Sequence, residues 1–384
     1  MKISHRLLNK FRPKLQLNHD LPTQAIPPMP TSSELLKMYN VRARKQLSQN
    51  FLLDPLITNR FVLCGAKDLA GHHVCEVGPG PGPITRSILQ RKPERLTVVE
   101  KDHRFLPMLK YVADVSNDRM TIVHGDILKY DLSQCFPQEL AKDWHKASPP
   151  FIVFGNLPFN VSLPLIFKWF EQISRKDGMF KLGRIPLVLT FQREVVERFL
   201  AQTGDKQRCR LSVSAQNFCD IDYKFIIAGG SFVPPPKVEV GVVKIVPKKT
   251  FDINLPFKKI DYVVKHTMHR KSKYCKHSVK TMFPPKRSDL VDEIFRKSGV
   301  DPLTRSNELE NLHFRDLCYA YEEIADRIPN LRKVDTYGEN EWSKTYFDAN
   351  GNAKDVLFET AEKNGNSKIE IPTFEGIFET TSLK

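Results

Sequence analysis

Nowhere in the 384 residues do about 18 apolar residues run uninterrupted, the length a membrane-spanning helix needs, so no such helix and no membrane partner are expected. The seven cysteines (Cys64, Cys75, Cys135, Cys209, Cys219, Cys275, Cys318) contain no CxxC pair and are odd in number. That argues against a disulfide framework or a zinc knuckle and for free thiols in a reducing compartment. His266, His269, Cys275 and His277 crowd together, but their spacing fits no zinc pattern and no metal is expected. Acid is scarce in two places. None precedes Asp20, and between Lys258 and Arg287 only Asp261 opposes Lys258, Lys259, Lys265, Arg270, Lys271, Lys273, Lys276, Lys280, Lys286 and Arg287. The net charge is +15, an excess that points to a polyanionic partner, nucleic acid before membrane.

What is present suits one large domain and a smaller one, acting as a monomer: 384 residues of which 41% are hydrophobic. Lys2, Arg6, Lys10, Arg12 and Lys14 alternate with Ile3, Leu7, Leu8, Phe11 and Leu15, as in a mitochondrial transit peptide or, more blandly, a solvated basic tail. A proline-rich linker follows from Leu21 to Pro30, and Thr31-Ser32-Ser33 can cap a first helix. The expected division is a targeting segment and linker over 1–30, an α/β Rossmann-like domain over 31–250, a small helical domain over 251–329 and a mobile tail over 330–384.

The α/β reading rests on strand-turn-helix units. His72 to Val77 reads as a strand that empties into Gly78-Pro79-Gly80-Pro81-Gly82, with a helix from Pro83 to Leu89. Gly78 and Gly80 remove side chains where backbone approaches a ligand. Pro83 stands where a dinucleotide fingerprint has its third glycine, which favours a cofactor lacking phosphates. Strand Leu96 to Val99 ends in Glu100, a carboxylate able to accept both ribose hydroxyls. Strand Met120 to His124 ends in Gly125-Asp126-Ile127, an acid for an adenine amine and an apolar cover for its ring. Either acid alone is also an ordinary strand-end residue. Further on, a strand over Leu187 to Phe191, a helix over Gln207 to Gln216, and a closing pair of Tyr223 to Ile227 with Val238 to Val246 are expected.

The chain centres on Phe151 to Phe167. Four apolar residues form a short strand broken by Gly155, followed by Asn156-Leu157-Pro158-Phe159. The Asn156 side-chain carbonyl and the Leu157 backbone carbonyl offer adjacent acceptors suited to an exocyclic amine, Pro158 fixes the backbone, and Phe159 offers a face for a flat ring. The same tetrapeptide also reads as a strand end with an Asn turn.

QNFLLD, EVGPGPGPIT, VVEKD, HGDIL, GNLPFNVS and FVPPPKVEVGVV, in this order between about Lys45 and Arg327, resemble the rRNA adenine dimethyltransferase family, most of all its mitochondrial branch, also known as mitochondrial transcription factor B. The resemblance implies a class I S-adenosylmethionine-dependent methyltransferase. By matching motifs, Gln49, Asn50 and Leu52 close over the cofactor, Gly78 and Gly80 approach it, and Glu100 holds its ribose with Lys101 flanking it. Asp126 and Ile127 hold its adenine, and Asn156 faces both cofactor and target. Phe159 stands where many relatives carry Tyr, an exchange that keeps stacking and loses a hydrogen bond. Phe232 is expected to stack on the target base from the other side, or else to tuck under Pro234 to Pro236. Arg44, Lys45, Arg270, Lys271 and Lys273 are the expected RNA contacts, although Ser272 interrupts the family's arginine pair. The implied activity is dimethylation of two adjacent adenosines in the terminal hairpin loop of mitochondrial small-subunit rRNA. The alternatives are a mitochondrial transcription cofactor that binds DNA and, more distantly, a dehydrogenase.

Overall fold

The computed structural model describes residues 50–328, with 31, 33, 34, 37 and 331–333. The targeting segment, the linker, most of the first helix, Arg44, Lys45, Gln49 and the tail beyond 333 lie outside the described residues.

Strand β1 (Phe51–Leu52) leads into α1 (Pro55–Leu63), started by Asp54, whose side chain accepts from the Leu56 amide, and by a proline in the first turn. Then come β2 (His73–Val77), α2 (Pro83–Leu89), β3 (Arg95–Glu100), α3 (Leu106–Asp114), β4 (Met120–His124) and β5 (Phe151–Gly155). Helix α4 (Phe159–Arg175) buries Leu165, Ile166, Trp169, Phe170 and Ile173, a stripe at helical spacing, and ends at Lys176 in the left-handed region. Strand β6 (Leu187–Gln192), α5 (Arg193–Leu200), α6 (Arg210–Phe218), β7 (Cys219–Ile227), β8 (Phe232–Val233) and β9 (Val240–Pro247) complete the α/β part. The chain then turns helical with α7 (Phe257–Met268), α8 (Cys275–Val279), α9 (Ser288–Ser298) and α10 (Asn311–Arg327).

The seven-stranded sheet runs β4-β3-β2-β5-β6-β9-β7, with β9 antiparallel to both its neighbours, while β1 and β8 form a separate antiparallel pair. Chain order departs from β2 in opposite directions, to β3 on one side and β5 on the other. At such a switch point the connections diverge and leave a crevice beyond the carboxyl ends of the strands. Gly78 follows β2 and Asn156 follows β5.

Two boundaries differ from expectation for identifiable reasons. Helix α6 begins at Arg210 rather than Gln207, because the Arg208 side chain turns inward, 1% exposed, and donates to the Leu309 carbonyl, Asn311 Oδ1 and Gln216 Oε1. Strand β7 begins four residues before Tyr223, at Cys219. Its exposed Asp220 mimics a loop, but this is a sheet edge where one face meets water. The C-terminal helices join the main core through Phe170, Phe218 and Phe257, whose ring centroids lie 5.9–6.3 Å apart.

Candidate active site

The crevice at the switch point is a cleft of about 660 Å³, its open mouth included. Its floor is the Gly78–Pro83 turn and Glu100; one wall is Asn50, Phe51 and Leu52, the other Asn156 to Phe159, with Phe232 and Val240. The turn adopts positive φ at Gly78 (68°) and Gly80 (55°). A Cβ on Gly78 would stand 2.9 Å from Leu157 Cδ2, and at Gly80, where a Cβ would only touch the Phe51 ring at 3.4 Å, the positive φ itself favours glycine.

The backbone of this turn is unsuited to phosphate. Pro79, Pro81 and Pro83 carry no N–H. The amides of Gly78, Gly80 and Gly82 already donate, to the Val99 carbonyl, Glu100 Oε2 and the Pro79 carbonyl. Among the described residues lining the cleft, Glu100 is the one side chain that ionises, and it is an acid. A pyrophosphate would find neither amide nor cation here, which disfavours a dehydrogenase. A cationic, phosphate-free cofactor such as S-adenosylmethionine meets the complementary charge and the bare glycine backbone. Of the residues that would hold it, Asn50, Leu52, Gly78, Gly80 and Glu100 line this cleft.

Glu100 accepts from the Gly80 amide at 2.9 Å through Oε2 and from the Asp102 amide at 2.7 Å through Oε1. Each oxygen keeps a second lone-pair direction, so the carboxylate can still accept ribose hydroxyls. Burial pushes its pKa up, and these amides hold it back. Beneath the turn, Glu76 is wholly buried and accepts from Thr85 Oγ1 at 2.6 Å. Burial first, and the Glu100 charge after it, raise Glu76 to about 8 although the Thr85 hydroxyl opposes them. Folding therefore takes up a proton between the ordinary value of 4.5 and 8, and this group's contribution to stability falls as pH rises through that window. Glu76→Gln keeps the acceptor and removes the titration. The variant is expected to melt several degrees above wild type at pH 8.5 and level with it at pH 5; parallel melting curves at both pH values would refute the assignment.

At the lip of β5, Asn156 is held from two sides. Its Nδ2 donates to the Asn50 carbonyl at 3.3 Å, and its Oδ1 accepts from Thr190 Oγ1 at 2.8 Å. The Asn50 carbonyl can only accept, so the amide nitrogen must lie on that side and the oxygen towards Thr190. Oδ1 retains one lone pair, and among the described residues no hydrogen bond reaches the neighbouring Leu157 carbonyl. Phe159, half-buried, opens α4 beside them. Phe232 lies in β8 opposite Leu52, lines the cleft and is only 2% exposed.

Sequence reasoning missed Thr190, 1% exposed on β6, and also Phe51 and Phe105, whose rings meet edge to face at 5.4 Å in the cleft wall. A signal for Thr190 existed: a lone hydroxyl in the otherwise apolar Leu187–Phe191 must find a partner when buried.

Some expected neighbours stand apart. Asp126 and Ile127 follow β4, one strand beyond β3, and do not line the cleft. Asp126 Oδ2 accepts from the Lys101 ammonium at 2.8 Å and Oδ1 from the Leu128 amide. Burial alone would raise Asp126, but these donors hold it below the ordinary carboxylate range.

The basic run also resolves into parts. Asp261, the one acid within it, pairs with Arg210 outside it. Lys258 is 3.5 Å from Glu171, Lys259 pairs with Glu322, and Arg287 pairs with Asp289 at 2.7 Å. Lys271 donates to the Lys206 carbonyl at 2.8 Å and is half-buried, its pKa lowered by desolvation. Arg270 and Lys273 are exposed. His266 is buried against Thr281 Oγ1 at 2.8 Å, and the Cys275 thiol donates to the Asp301 and Pro302 carbonyls. No metal-holding group of three or more such side chains occurs among the described residues.

Comparison with known proteins agrees with this geometry. Residues 40–325 match the family model described as ribosomal RNA adenine dimethylase. The chain is 48% identical over 307 residues to "Dimethyladenosine transferase 1, mitochondrial" of Xenopus tropicalis, covering 80% of this chain and 88% of that one. To the protein of the same name from Homo sapiens it is 44% identical over 312 residues, covering 81% and 90%. A crystal structure of a dimethyladenosine transferase from Plasmodium falciparum shares the fold, with a TM-score of 0.55 at 22% identity over 70% of this chain and 96% of that one. With the family model spanning most of the described residues and the phosphate-free cleft at its centre, this chain belongs to the ribosomal RNA adenine dimethylase family.

Proposed function

We infer that this chain is a mitochondrial S-adenosylmethionine-dependent methyltransferase that converts two adjacent adenosines, in the 3′-terminal hairpin loop of small-subunit rRNA, to N6,N6-dimethyladenosine and so supports ribosome assembly. The observation that carries this reading is the Asn156–Leu157 acceptor pair, braced by Asn50 and Thr190, opening on the same cleft as the glycine turn and Glu100. The bound cofactor supplies a methyl group on a positively charged sulfur.

Adenine's amine is a weak nucleophile because its lone pair is delocalised into the ring, so positioning matters more than a strong base. Asn156 Oδ1 and the Leu157 carbonyl each accept one N–H of the target, drawing the nitrogen towards a tetrahedral shape with its lone pair exposed. Orientation of this kind can lower a barrier by roughly 7 to 11 kcal/mol. Once methylated, the nitrogen is cationic and releases its proton to water. The product keeps one N–H, rotates and is gripped again for the second transfer.

The base has to leave its stack, at a cost of a few kcal/mol that is least in a loop. Phe159 offers it an apolar face worth about 1 to 3 kcal/mol, and Phe232, packed in the cleft wall at 2% exposure, backs that wall rather than stacking on the base. Arg44, Lys45, Arg270 and Lys273 take phosphates, and Lys271 holds the loop that carries two of them. A cofactor extending past Glu100 towards β4 would meet Asp126, paired with Lys101, and Ile127 at its adenine end, and Gln49 is assigned to the same cofactor.

The test is transfer of labelled methyl groups to a transcribed mitochondrial small-subunit rRNA fragment, read by mass spectrometry as N6,N6-dimethyladenosine. Two dimethylated adenosines are expected, and none when the loop adenines are replaced by guanosine. No incorporation alongside tight binding to promoter DNA would sink the reading in favour of a transcription cofactor.

A further inference from the structure

The loop between α7 and α8 presents two aromatic rings to solvent. Tyr274 is 46% exposed, and its ring lies near-parallel to that of His277, with centroids 6.5 Å apart and planes 25° from each other. His277 is exposed as well. Burial does not explain these rings, since neither packs into the core. The backbone beneath them is firmly held. Tyr274 bridges Arg305, the Ser306 and Asn307 amides donate to the Lys273 and Lys271 carbonyls, and the Cys275 amide donates to the Thr304 carbonyl at 2.8 Å. Lys271 fastens the same loop to the Lys206 carbonyl.

The loop that carries the rings is basic, and the acids on the segment bracing it are Asp301, beside Cys275, and Glu308, which faces Arg305 at 3.9 Å. No acid occurs between Asp261 and Asp289, while Arg270 and Lys273 on one side and Lys280 on the other are exposed. A rigid pair of open aromatic faces flanked by cations is what an unpaired nucleotide requires: the rings stack the base, and the cations take the phosphates on either side. An anionic membrane would need a broader apolar face than two rings and Leu303 provide.

We propose that Tyr274 and His277 form a second RNA site, a stacking platform for an unpaired base outside the cleft, with Arg270 and Lys273 on the neighbouring phosphates. It rests on the RNA-methyltransferase reading and assigns the basic loop a role beyond charge. Two kinds of contact separate in experiment, because stacking does not change with salt and phosphate contact does.

The probe is a fluorescently labelled rRNA fragment carrying a single-stranded flank, titrated by anisotropy against the full chain at several salt concentrations. Tyr274→Ala is expected to weaken binding about tenfold with an unchanged salt slope, and Tyr274→Phe to restore it. Lys273→Gln is expected to lower the salt slope by about 0.7, one phosphate on a single strand. A fragment whose flank is fully paired should bind wild type and Tyr274→Ala alike. Equal binding of the single-stranded flank by wild type and Tyr274→Ala would overturn the platform, as would an equal loss of affinity for polyglutamate, which marks a general polyanion surface. Methyl transfer by wild type, measured on the same fragment, separates the two failures: if it persists, the platform alone falls, and if it is absent, the enzymatic reading falls first.

Discussion

Asn156→Ala is expected to lower methyl incorporation by about a thousandfold or more, with the melting temperature within a few degrees of wild type. The side chain lies at the lip of β5 rather than in the core, so its loss leaves packing intact. What disappears is one of the two acceptors proposed to hold the target amine, and with it the orientation of the lone pair. A thousandfold corresponds to about 4 kcal/mol, well within what positioning supplies. Thr190→Val makes the argument graded. It removes the hydroxyl that fixes Asn156 Oδ1 but leaves the amide in place, and β6 accommodates a β-branched residue of the same shape. The expected outcome is a ten- to hundredfold fall in kcat with little change in cofactor affinity. Full incorporation by Asn156→Ala would remove the acceptor pair from the chemistry, and a Thr190→Val loss confined to cofactor binding would assign the hydroxyl to a different task.

Gly78→Ala is expected to weaken S-adenosylmethionine binding about a hundredfold or more, measured by calorimetry. Two effects coincide at this residue. Its φ of 68° costs an alanine about 1 kcal/mol or somewhat more. In addition, the new Cβ stands 2.9 Å from Leu157 Cδ2, so Leu157 must shift, and its carbonyl is one of the two proposed target acceptors. Gly71 separates these effects, because its φ is 71° yet a Cβ there meets nothing within 4 Å. Gly71→Ala therefore carries the backbone strain without the crowding and is expected to bind cofactor as wild type does. If the two alanine variants lose cofactor equally, strain rather than crowding explains the loss and the close contact of turn and target lip has no part in it.

Much of the molecule was legible in its residues because the determining forces act locally. The helix over Pro83–Leu89 and the strand over Met120–His124 begin and end at the expected residues: proline, glycine and β-branched runs set backbone geometry within a few residues. The placement of Glu100 and Asn156 on the cleft was legible for the same reason, since a polar residue at the end of a parallel strand points to the rim of the sheet. The edge strand from Cys219 and the late start of α6 were not, because an exposed sheet edge depends on its pairing with β9 and the buried arginine on Asn311, 103 residues distant. The basic run shows the limit most plainly. Its ten cations are countable in the chain, but which of them remain free depends on Glu171, Glu322, Asp289 and the Lys206 carbonyl.

Order, spacing and residue type by themselves determined the parallel strands, the glycine turn, the family and the candidate acceptors, because each is written in a short stretch whose geometry its own side chains dictate. Only the tertiary structure decided that the turn has no amide left for phosphate, that Thr190 and Asn50 orient Asn156, and that Asp126 stands one strand away from the cleft. Hydrogen-bond partners and burial arise where distant segments meet, and no segment holds that information alone.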